Sequence, residues 1–470
     1  MILIPDVKNK KIGVFGLGLS GMATAEALLR SGAHVYTWDE NKTAREKTLS
    51  TEYRAEHPKQ WPWQEMAFVV ISPGVPLTHP KPHAIVRKAR AENIPVIGDV
   101  ELFARAINSI PAPERPHVIA ITGSNGKSTT TALIGHILRH AGEDVCVGGN
   151  IGDPVLSLDA PSAGMTYVLE LSSFQLDLTY SLHANAAIFL NLSPDHIERH
   201  GTVAGYIAAK TRIFFNQESD DLAVIDVDNP AMEGVVAELK SGHKARFAPI
   251  SVKSTLSEGA FVRGGKLFHN LQGKTLRAGD ISDAPALRGD HNMQNAAAAL
   301  AACVDRGVSS VIAVKAMHSF EALPHRLETV AKIGKVSLVN DSKATNASAA
   351  ARALSAYDNI YWIAGGKPKD GGVAELTGLM DRVRRVYLIG EAAAQFSEQL
   401  RESVNCIVCD GLEDAVSKAN ADAQASDWDN AVVLLSPACA SYDQFDNFEQ
   451  RGEAFRKFAR ALPSQNGAAA

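Results

Sequence analysis

The stretch from Ile119 to Thr131 constrains the fold of this chain more than any other part of its sequence. It reads Ile-Ala-Ile-Thr-Gly-Ser-Asn-Gly-Lys-Ser-Thr-Thr-Thr. An apolar run ends in a turn with Gly123 and Gly126, and apolar residues with helical spacing follow Lys127. A strand, a glycine-rich loop and a helix N-terminus in this order present backbone N–H groups and a positive helix end to an anion. The stretch therefore predicts a phosphate-binding loop.

The residue types of this loop suit a nucleoside triphosphate with a magnesium ion. Lys127 would reach the β- and γ-phosphates, and a hydroxyl group from Ser128 or Thr129 would hold Mg²⁺. The loop is a shortened variant, because Ile121 stands where the usual motif has its first glycine. The alternative is an ordinary glycine-rich turn between a strand and a helix. The predicted nucleotide contacts of the loop are Gly123, Ser124, Asn125, Gly126, Lys127, Ser128 and Thr129.

Length and composition restrict the number of domains and the kind of partner. A chain of 470 residues is too long for one hydrophobic core and predicts two to four domains. The formal net charge of −5 argues against nucleic acid as the main partner. No apolar run approaches the ~18 residues that span a membrane, and the five cysteines indicate a reducing compartment. We expect a cytoplasmic monomer that binds neither nucleic acid nor membrane.

A second glycine-rich loop lies near the N-terminus, between a predicted strand at Lys11 to Phe15 and a helix that ends at Arg30. It reads Gly16-Leu-Gly-Leu-Ser-Gly21, and Asp39 follows the next predicted strand. This spacing is typical of a dinucleotide-binding unit, in which the acidic residue binds a ribose hydroxyl group. A nicotinamide oxidoreductase would explain this unit but would leave the loop at Lys127 unused.

The remaining chain alternates predicted strands and helices, which indicates open and mostly parallel sheets. Glu170 lies near the end of one apolar strand, and His196 follows another. Both are well placed for chemistry, because ligands bind at the carboxyl ends of parallel strands. A proline-rich linker follows residue 110, and a third β/α series begins near Leu323. The predicted fold class is α/β with three domains, at residues 1–112, 113–322 and 323–470, the first and third Rossmann-like and the second containing the phosphate-binding loop.

Several motifs together resemble the Mur ligases, ATP-dependent enzymes that form amide bonds in peptidoglycan precursor synthesis. They are Thr122-Gly-Ser-Asn-Gly-Lys-Ser-Thr129, Gly148-Gly-Asn-Ile-Gly152, Glu170-Leu-Ser-Ser-Phe-Gln175, Asp195-His196, His291-Asn-Met-Gln-Asn295 and Leu323-Pro-His-Arg326. Three further motifs look like those of the members that add D-glutamate to UDP-N-acetylmuramoyl-L-alanine. They are Asn340-Asp-Ser-Lys-Ala-Thr-Asn346, Gly365-Gly-Lys-Pro-Lys369 and Leu435-Ser-Pro-Ala-Cys-Ala-Ser-Tyr-Asp-Gln-Phe445.

The resemblance implies a role for each matching residue. It implies ATP and two Mg²⁺ ions as cofactors and an acyl phosphate as the intermediate. The implied catalytic residues are Lys127, His196 and Lys210, with Lys210 carried as a carbamate. The implied metal ligands are Ser128, Thr129, Glu170, His196 and Lys210. Further nucleotide contacts are Asn292, Asn295, Arg326 and Asp341. The implied substrate contacts are Leu19, Ser20, Asp39, Ser72, Asn150, Gln175, Thr345, Lys369, Ser441 and Phe448. Glu40 and Asn41 replace the family's Thr-Arg pair, so the diphosphate contacts stay open.

Other interpretations of these residues are also open. His196 and His200 are spaced like zinc ligands on a helix, although Glu198 is in the wrong position for a zinc protease. Asp39 or Asp341 could be a helix N-cap, and Lys210 alone would be a solvated helix lysine. The alternative functions are a different Mur or folylpolyglutamate-type ligase, or a regulatory ATPase of a different class. The third domain lacks the Asp-Asn-Pro-Arg sequence of the members that add diaminopimelate.

Overall fold

The computed structural model describes residues 1–50, 53, 55–271, 273–321, 323–368 and 371–463. The chain forms two compact units. Unit 1 contains Met1–Asp283 and Met293–Ser319, and unit 2 contains Ala284–Asn292 and Phe320–Ala470. Three separate sheets are present, two in unit 1 and one in unit 2. The α/β fold class predicted from the sequence is confirmed.

The first sheet is fully parallel, with the strand order β2-β1-β3-β4. Its strands are β1 (Lys11–Phe15), β2 (His34–Trp38), β3 (Met66–Ile71) and β4 (Val96–Ile97), and its helices are α1 (Leu19–Arg30), α2 (Lys42–Glu46), α3 (Ala84–Ala91) and α4 (Asp99–Asn108). The bounds of β1 and β2 agree with the glycine-loop unit predicted from the sequence. All residues of β1 after Lys11 and all residues of β3 except Ala67 are buried, so both faces of these strands are covered, as parallel sheets require.

The second sheet has the order β13-β12-β11-β10-β9-β8-β5-β7-β6. Neighbouring strands from β11 to β6 in this order are parallel, and the pairs β11–β12 and β12–β13 are antiparallel. The strands are β5 (His117–Thr122), β6 (Val145–Gly149), β7 (Thr166–Glu170), β8 (Ala186–Phe189), β9 (Leu222–Asp226), β10 (Arg246–Ser251), β11 (Gly259–Arg263), β12 (Lys266–Asn270) and β13 (Leu276–Asp280). The helices are α5 (Lys127–His140), α6 (Ser173–Leu176), α7 (Ile197–His200), α8 (Val203–Thr211), α9 (Glu233–Gly242), α10 (Asp290–Asp305) and α11 (Ser310–His318).

The third sheet has the order β14-β15-β19-β16-β17-β18 and is parallel except for the edge strand β14. Its strands are β14 (Glu328–Ile333), β15 (Val336–Asn340), β16 (Ile360–Gly365), β17 (Val383–Ile389), β18 (Cys406–Val408) and β19 (Ala431–Leu435). The helices are α12 (Ala347–Ala356), α13 (Ala393–Leu400), α14 (Leu412–Ala425) and α15 (Phe448–Ala461), with a 3₁₀ helix at Ala374–Arg382.

The centre of each sheet is almost completely buried, which fixes the loops at the strand ends. All five residues of β7 and all five of β19 are buried. β19 is a continuous apolar run and β7 has apolar residues at its centre, and this is why the sequence locates both strands well. None of the helices in the described part of the chain has the length and apolar character needed to cross a membrane. All five cysteines are free thiols in the structure.

Candidate active site

The loop between β5 and α5 has the strand–loop–helix form that the sequence predicts. Helix α5 starts at Lys127, and Gly126 precedes it with a left-handed backbone, at φ 83° and ψ −14°. A Cβ atom on Gly126 would lie 2.4 Å from Oδ1 of Asn295, so the loop packs closely on α10. The backbone N–H of Asn125 donates to the side chain of Asn191 (3.0 Å), which follows β8. The loop is therefore supported from two neighbouring elements.

Two lysine side chains converge on one carbonyl oxygen of this loop. The Nζ atom of Lys127 donates to the carbonyl oxygens of Gly123 (2.8 Å) and Ser124 (3.0 Å). The Nζ atom of Lys210, from α8, donates to the same Gly123 oxygen at 2.8 Å. Lys210 is only 1% exposed. Burial lowers the pKa of Lys210 well below its ordinary value, and the nearby Lys127 lowers this pKa further. Lys210 is therefore not a solvated surface lysine, and that alternative interpretation is wrong.

Glu170 brings a carboxylate to the same end of the sheet. It ends β7 and is 2% exposed. Its Oε1 atom accepts a hydrogen bond from Nδ2 of Asn150 (2.8 Å). Its Oε2 atom is buried and has no hydrogen-bond partner in the described part of the chain. A buried carboxylate oxygen without a donor is expensive unless a cation pairs with it. The residues present therefore fit a magnesium ion at Glu170.

His196 lies in the turn after β8 and is the N-cap of α7, with a left-handed backbone at φ 55°. Its ring packs on the ring of Phe174, with 4.9 Å between the centroids. The ring of His200 is hydrogen-bonded to the hydroxyl group of Ser173 (3.0 Å). Within the described residues, no group of three or more His, Cys, Asp and Glu side chains is arranged to hold a metal ion.

The predicted substrate contacts of the first sheet surround the loop between β1 and α1. Asp39 directly follows β2, and its Oδ2 atom accepts from the backbone N–H of Leu17 (2.6 Å). The hydroxyl group of Ser72, after β3, donates to the carbonyl oxygen of Gly16 (3.1 Å). Leu19 is 80% exposed at the start of α1, next to Ser20. Asp39 does not cap a helix, because Asn41 caps α2, and that alternative is wrong.

Two other residues of unit 1 have partners that the sequence did not reveal. The carboxylate of Glu40 pairs with the ring of His83 (3.0 Å). Gln175 belongs to a capping box, in which its side chain accepts from the backbone N–H of Ser172 (3.1 Å). The capping box explains the buried position of Gln175 without a ligand. Its proposed substrate contact stays a prediction.

In unit 2, the predicted site residue Asp341 lies at the carboxyl end of a parallel strand. Asp341 follows β15, and its Oδ2 atom accepts from the hydroxyl group of Ser436 (2.8 Å), which follows β19. Burial raises the pKa of Asp341 to about 7. Asp341 is not a helix N-cap, because the side chain of Asn346 caps α12. That alternative is wrong, and the nucleotide contact of Asp341 stays a prediction.

The predicted amino-acid contacts of unit 2 are joined by a residue that the sequence analysis missed. The guanidinium group of Arg451, on α15, donates to the carbonyl oxygens of Ser342 (2.9 Å) and Cys439 (3.1 Å). It therefore connects the loop of Thr345 with the loop of Ser441. The Nζ atom of Lys343 lies 3.7 Å from the ring centroid of Phe448. Lys369, a further predicted contact, lies outside the described residues.

The structure also gives the positions of three other predicted nucleotide contacts, Asn292, Asn295 and Arg326. Asn292 and Asn295 lie in the first turns of α10, and both are buried. The side chain of Asn292 donates to the carbonyl oxygen of Arg288 (3.1 Å). Arg326 lies in the turn before β14, and its charge lowers the pKa of Asp341 against the larger effect of burial.

The sequence analysis also missed Tyr206 in unit 1. Its hydroxyl group is hydrogen-bonded to the hydroxyl group of Ser124 (3.1 Å), and Lys210 lies over its ring. The spacing of four residues between Tyr206 and Lys210 places both on one helix face and was the available signal.

Three family models match the chain in order. They are the Mur ligase MurD-like N-terminal domain at residues 10–98, the Mur ligase middle domain at 121–303, and the Mur ligase glutamate ligase domain at 325–439. The chain belongs to the Mur ligase family.

Its full-length relatives are UDP-N-acetylmuramoylalanine--D-glutamate ligases. The protein of that name from Caulobacter vibrioides (strain NA1000 / CB15N) is 49% identical over 470 residues, which is 100% of both chains. The one from Brucella abortus (strain 2308) is 47% identical over 464 residues, covering 98% of each chain.

Solved structures of more distant proteins share the fold. MurF from Acinetobacter baumannii has a TM-score of 0.58 at 16% identity, covering 96% of this chain and 92% of its own. UDP-N-acetylmuramate-alanine ligase MurC from Thermotoga maritima has a TM-score of 0.57 at 19% identity, covering 96% of this chain and 99% of its own. At these identities the likeness concerns the fold alone.

Proposed function

We propose that this chain is an ATP-dependent ligase that joins D-glutamate to UDP-N-acetylmuramoyl-L-alanine in cytoplasmic peptidoglycan precursor synthesis. The observation that carries the proposal is the convergence of Lys127 and Lys210 on the Gly123 carbonyl oxygen, in the loop that precedes α5. The full-length relatives with this activity in their names support the choice of substrates. The loop supports ATP as the phosphoryl donor.

The proposed reaction has two steps. A carboxylate oxygen of UDP-N-acetylmuramoyl-L-alanine attacks the γ-phosphorus of ATP, and ADP leaves. The amine nitrogen of D-glutamate then attacks the carbonyl carbon of the acyl phosphate, inorganic phosphate leaves, and the amine loses a proton. The first step brings two anions together, so it depends on cations and on oriented N–H groups. Lys127 and the loop amides before α5 supply both.

The described residues suit Mg²⁺ in this role. We propose that Glu170 holds one ion together with a hydroxyl group of Ser128 or Thr129, and that His196 and a carbamate on Lys210 hold a second. Bound Mg²⁺ would neutralise charge on the phosphates. The unpartnered Oε2 atom of Glu170 supports the first site. The buried Lys210 supports the second, because a carbamate forms only from a neutral amine.

The remaining substrate contacts are proposals that follow from the family. In unit 1, Leu19, Ser20, Asp39 and Ser72 would hold the uridine end of the substrate, and Asn150 and Gln175 its muramoyl part. In unit 2, Thr345, Lys369, Ser441 and Phe448 would hold D-glutamate. Asn292, Asn295, Arg326 and Asp341 would contact ATP. We also propose the domain division 1–112, 113–322 and 323–470 and a monomeric state, which limited proteolysis and light scattering would test.

A phosphate-release assay tests the function directly. The purified protein is given ATP, Mg²⁺ and UDP-N-acetylmuramoyl-L-alanine, with D-glutamate, L-glutamate, L-alanine, L-lysine or diaminopimelate in parallel. We expect release with D-glutamate far above the others, because a site built to bond a carboxylate rejects analogues that leave its groups unpaired. A Lys369→Ala variant should raise the KM for D-glutamate and leave the KM for ATP unchanged. A different preferred amino acid would refute the substrate assignment, and release without any amino acid would favour a regulatory ATPase.

A further inference from the structure

Arg199 is a buried arginine outside the residues assigned so far. It lies on α7, three residues after His196, and only 7% of its surface is exposed. Within the described chain no carboxylate forms an ion pair with it, although the charge of Asp177 acts on it from a distance. Its Nε and Nη1 atoms are buried without a hydrogen-bond partner among the described residues. A buried guanidinium group in this state is costly, so its remaining contacts need an explanation.

Those contacts go to the turn that follows β3. The Nη2 atom of Arg199 donates to the carbonyl oxygens of Pro73 (3.3 Å) and Val75, 126 and 124 residues away in the chain. The turn Ser72–Val75 is closed by a hydrogen bond from the N–H of Val75 to the carbonyl oxygen of Ser72 (2.9 Å). The hydroxyl group of Ser72 in turn holds Gly16 in the loop before α1. Arg199 thus reaches the predicted uridine-binding loop through one intermediate turn.

On its other side, Arg199 is coupled to His196. Its backbone N–H donates to the carbonyl oxygen of His196 (3.0 Å). Its guanidinium carbon lies 5.3 Å from the ring centroid of Phe174, and the ring of His196 packs on the same phenylalanine. Phe174 belongs to α6, the short helix that follows Glu170. One residue therefore links the β3 turn, α6 and the histidine that we propose as a metal ligand.

We propose that Arg199 is a positioning residue that fastens the turn Ser72–Val75 to the helix that begins after His196. It would thereby fix the distance between the uridine end of the substrate and its reacting carboxylate. The inference rests on the proposed function. An apolar side chain would fill the same buried space at lower cost, so a structural role alone does not explain the charge. The two carbonyl groups of the turn do explain it, since a guanidinium group can donate to both at once.

Steady-state kinetics of the full-length enzyme test this inference. For Arg199→Ala we expect the KM for UDP-N-acetylmuramoyl-L-alanine to rise and kcat to fall, each by about tenfold or more, with the KM for ATP unchanged. The kcat of Arg199→Lys and its KM for UDP-N-acetylmuramoyl-L-alanine should lie between those of Arg199→Ala and the wild type. The ammonium group of lysine keeps the charge but lacks the planar guanidinium geometry. Added guanidinium ion at millimolar concentration should restore part of the kcat of Arg199→Ala.

Arg115→Ala is the matched control. The guanidinium group of Arg115 also donates to two backbone carbonyl oxygens, those of Asn108 (3.0 Å) and Ile110 (3.1 Å), but away from the site. The three KM values to compare are those for UDP-N-acetylmuramoyl-L-alanine, ATP and D-glutamate. If both alanine variants change all three equally, or if neither variant changes any of them, the inference is wrong. A wild-type enzyme without turnover would refute the proposed function instead.

Hydrogen exchange provides a readout that does not depend on turnover. The peptide covering Ser72–Val75 should exchange faster in Arg199→Ala than in Arg115→Ala or the wild type. Equal exchange of this peptide in all three proteins would overturn the inference, even if Arg199→Ala loses activity. If Arg199→Ala does not fold, the same comparison is made with Arg199→Lys. Exchange of the Ser72–Val75 peptide and kinetic constants equal to those of the wild type would then refute the inference.

Discussion

Substituting Gly126 with alanine tests whether the close contact between the phosphate-binding loop and the side chain of Asn295 is needed for ATP binding. Gly126 has a left-handed backbone at φ 83°, which costs alanine about 1–2 kcal/mol. Gly142, at the other end of α5, has φ 84°, and a Cβ atom there would meet nothing within 4 Å. The two substitutions therefore share the same backbone strain. They differ only in what the new methyl group contacts.

At Gly126 the methyl group would lie 2.4 Å from Oδ1 of Asn295, whereas ordinary contact begins at 3.4 Å. The difference, 3.4 − 2.4 Å, means that the side-chain amide or the loop must move by about 1 Å. A displacement of ~1 Å in a group that positions a substrate costs on the order of 100-fold in rate. We therefore expect Gly126→Ala to lose about two orders of magnitude in kcat/KM for ATP. Gly142→Ala should stay near the wild type.

Both variants should melt at lower temperature by a similar amount, about 2–8 °C, because both carry the strain of a left-handed alanine. Thermal unfolding by circular dichroism gives this comparison, and the phosphate-release assay at varied ATP gives kcat/KM. If Gly126→Ala matches Gly142→Ala in kcat/KM for ATP, close contact between the loop and Asn295 is unimportant for nucleotide binding. That result would refute the reasoning.

Three further predictions concern charged side chains. Lys127→Ala should abolish amide formation while the circular dichroism spectrum stays unchanged. The lysine acts mainly on charge that develops in the transition state, so its loss should raise the activation free energy by about several kcal/mol. Near-normal turnover would contradict this prediction. Lys210→Met should also lose turnover but keep its melting temperature, because Lys127 still donates to the Gly123 carbonyl oxygen, and strong destabilisation would be the wrong outcome. Burial raises the pKa of Asp99 from 3.8 to about 6, so this carboxyl group loses a proton less readily in the fold than in the unfolded chain. The free energy of unfolding therefore falls as the pH rises from about 4 through 6. At neutral pH the ionised Asp99 lowers it by about 3 kcal/mol. The urea midpoint should fall more between pH 4.5 and 7.5 in the wild type than in Asp99→Asn, and parallel profiles would refute this.

The local parts of the site could be predicted because neighbouring residues determine them. Gly123, Gly126 and Lys127 stand in one short loop between a buried strand and a helix, and the structure has them there. The strand that ends at Glu170 has apolar residues at its centre, because both faces of a central parallel strand are buried. A single sequence suffices for such features.

The capping residues show where local rules stop. Asp341, Ser342 and Asn346 all have side chains that can cap a helix, so the capping preference alone could not choose among them. The structure selects Asn346 because the backbone N–H of Asp341 is still paired with the carbonyl oxygen of Leu435, at the end of the sheet. Tertiary pairing therefore delays the start of α12. The contacts of Arg451 have the same origin, since they join residues 109 and 12 positions apart.

The meeting of two lysines at Gly123 is the feature that sequence reasoning alone could least explain. Lys127 and Lys210 are 83 positions apart, yet both donate to one carbonyl oxygen. Two unit charges 4 Å apart at an effective dielectric constant of 20 repel by about 4 kcal/mol, so it is unfavourable for both amines to be charged. Lys210 is the more deeply buried and has the lowered pKa, so it is the one that becomes neutral. A neutral amine beside a cation can add CO₂ and release a proton, and the resulting anion would be attracted to Lys127 rather than repelled by it.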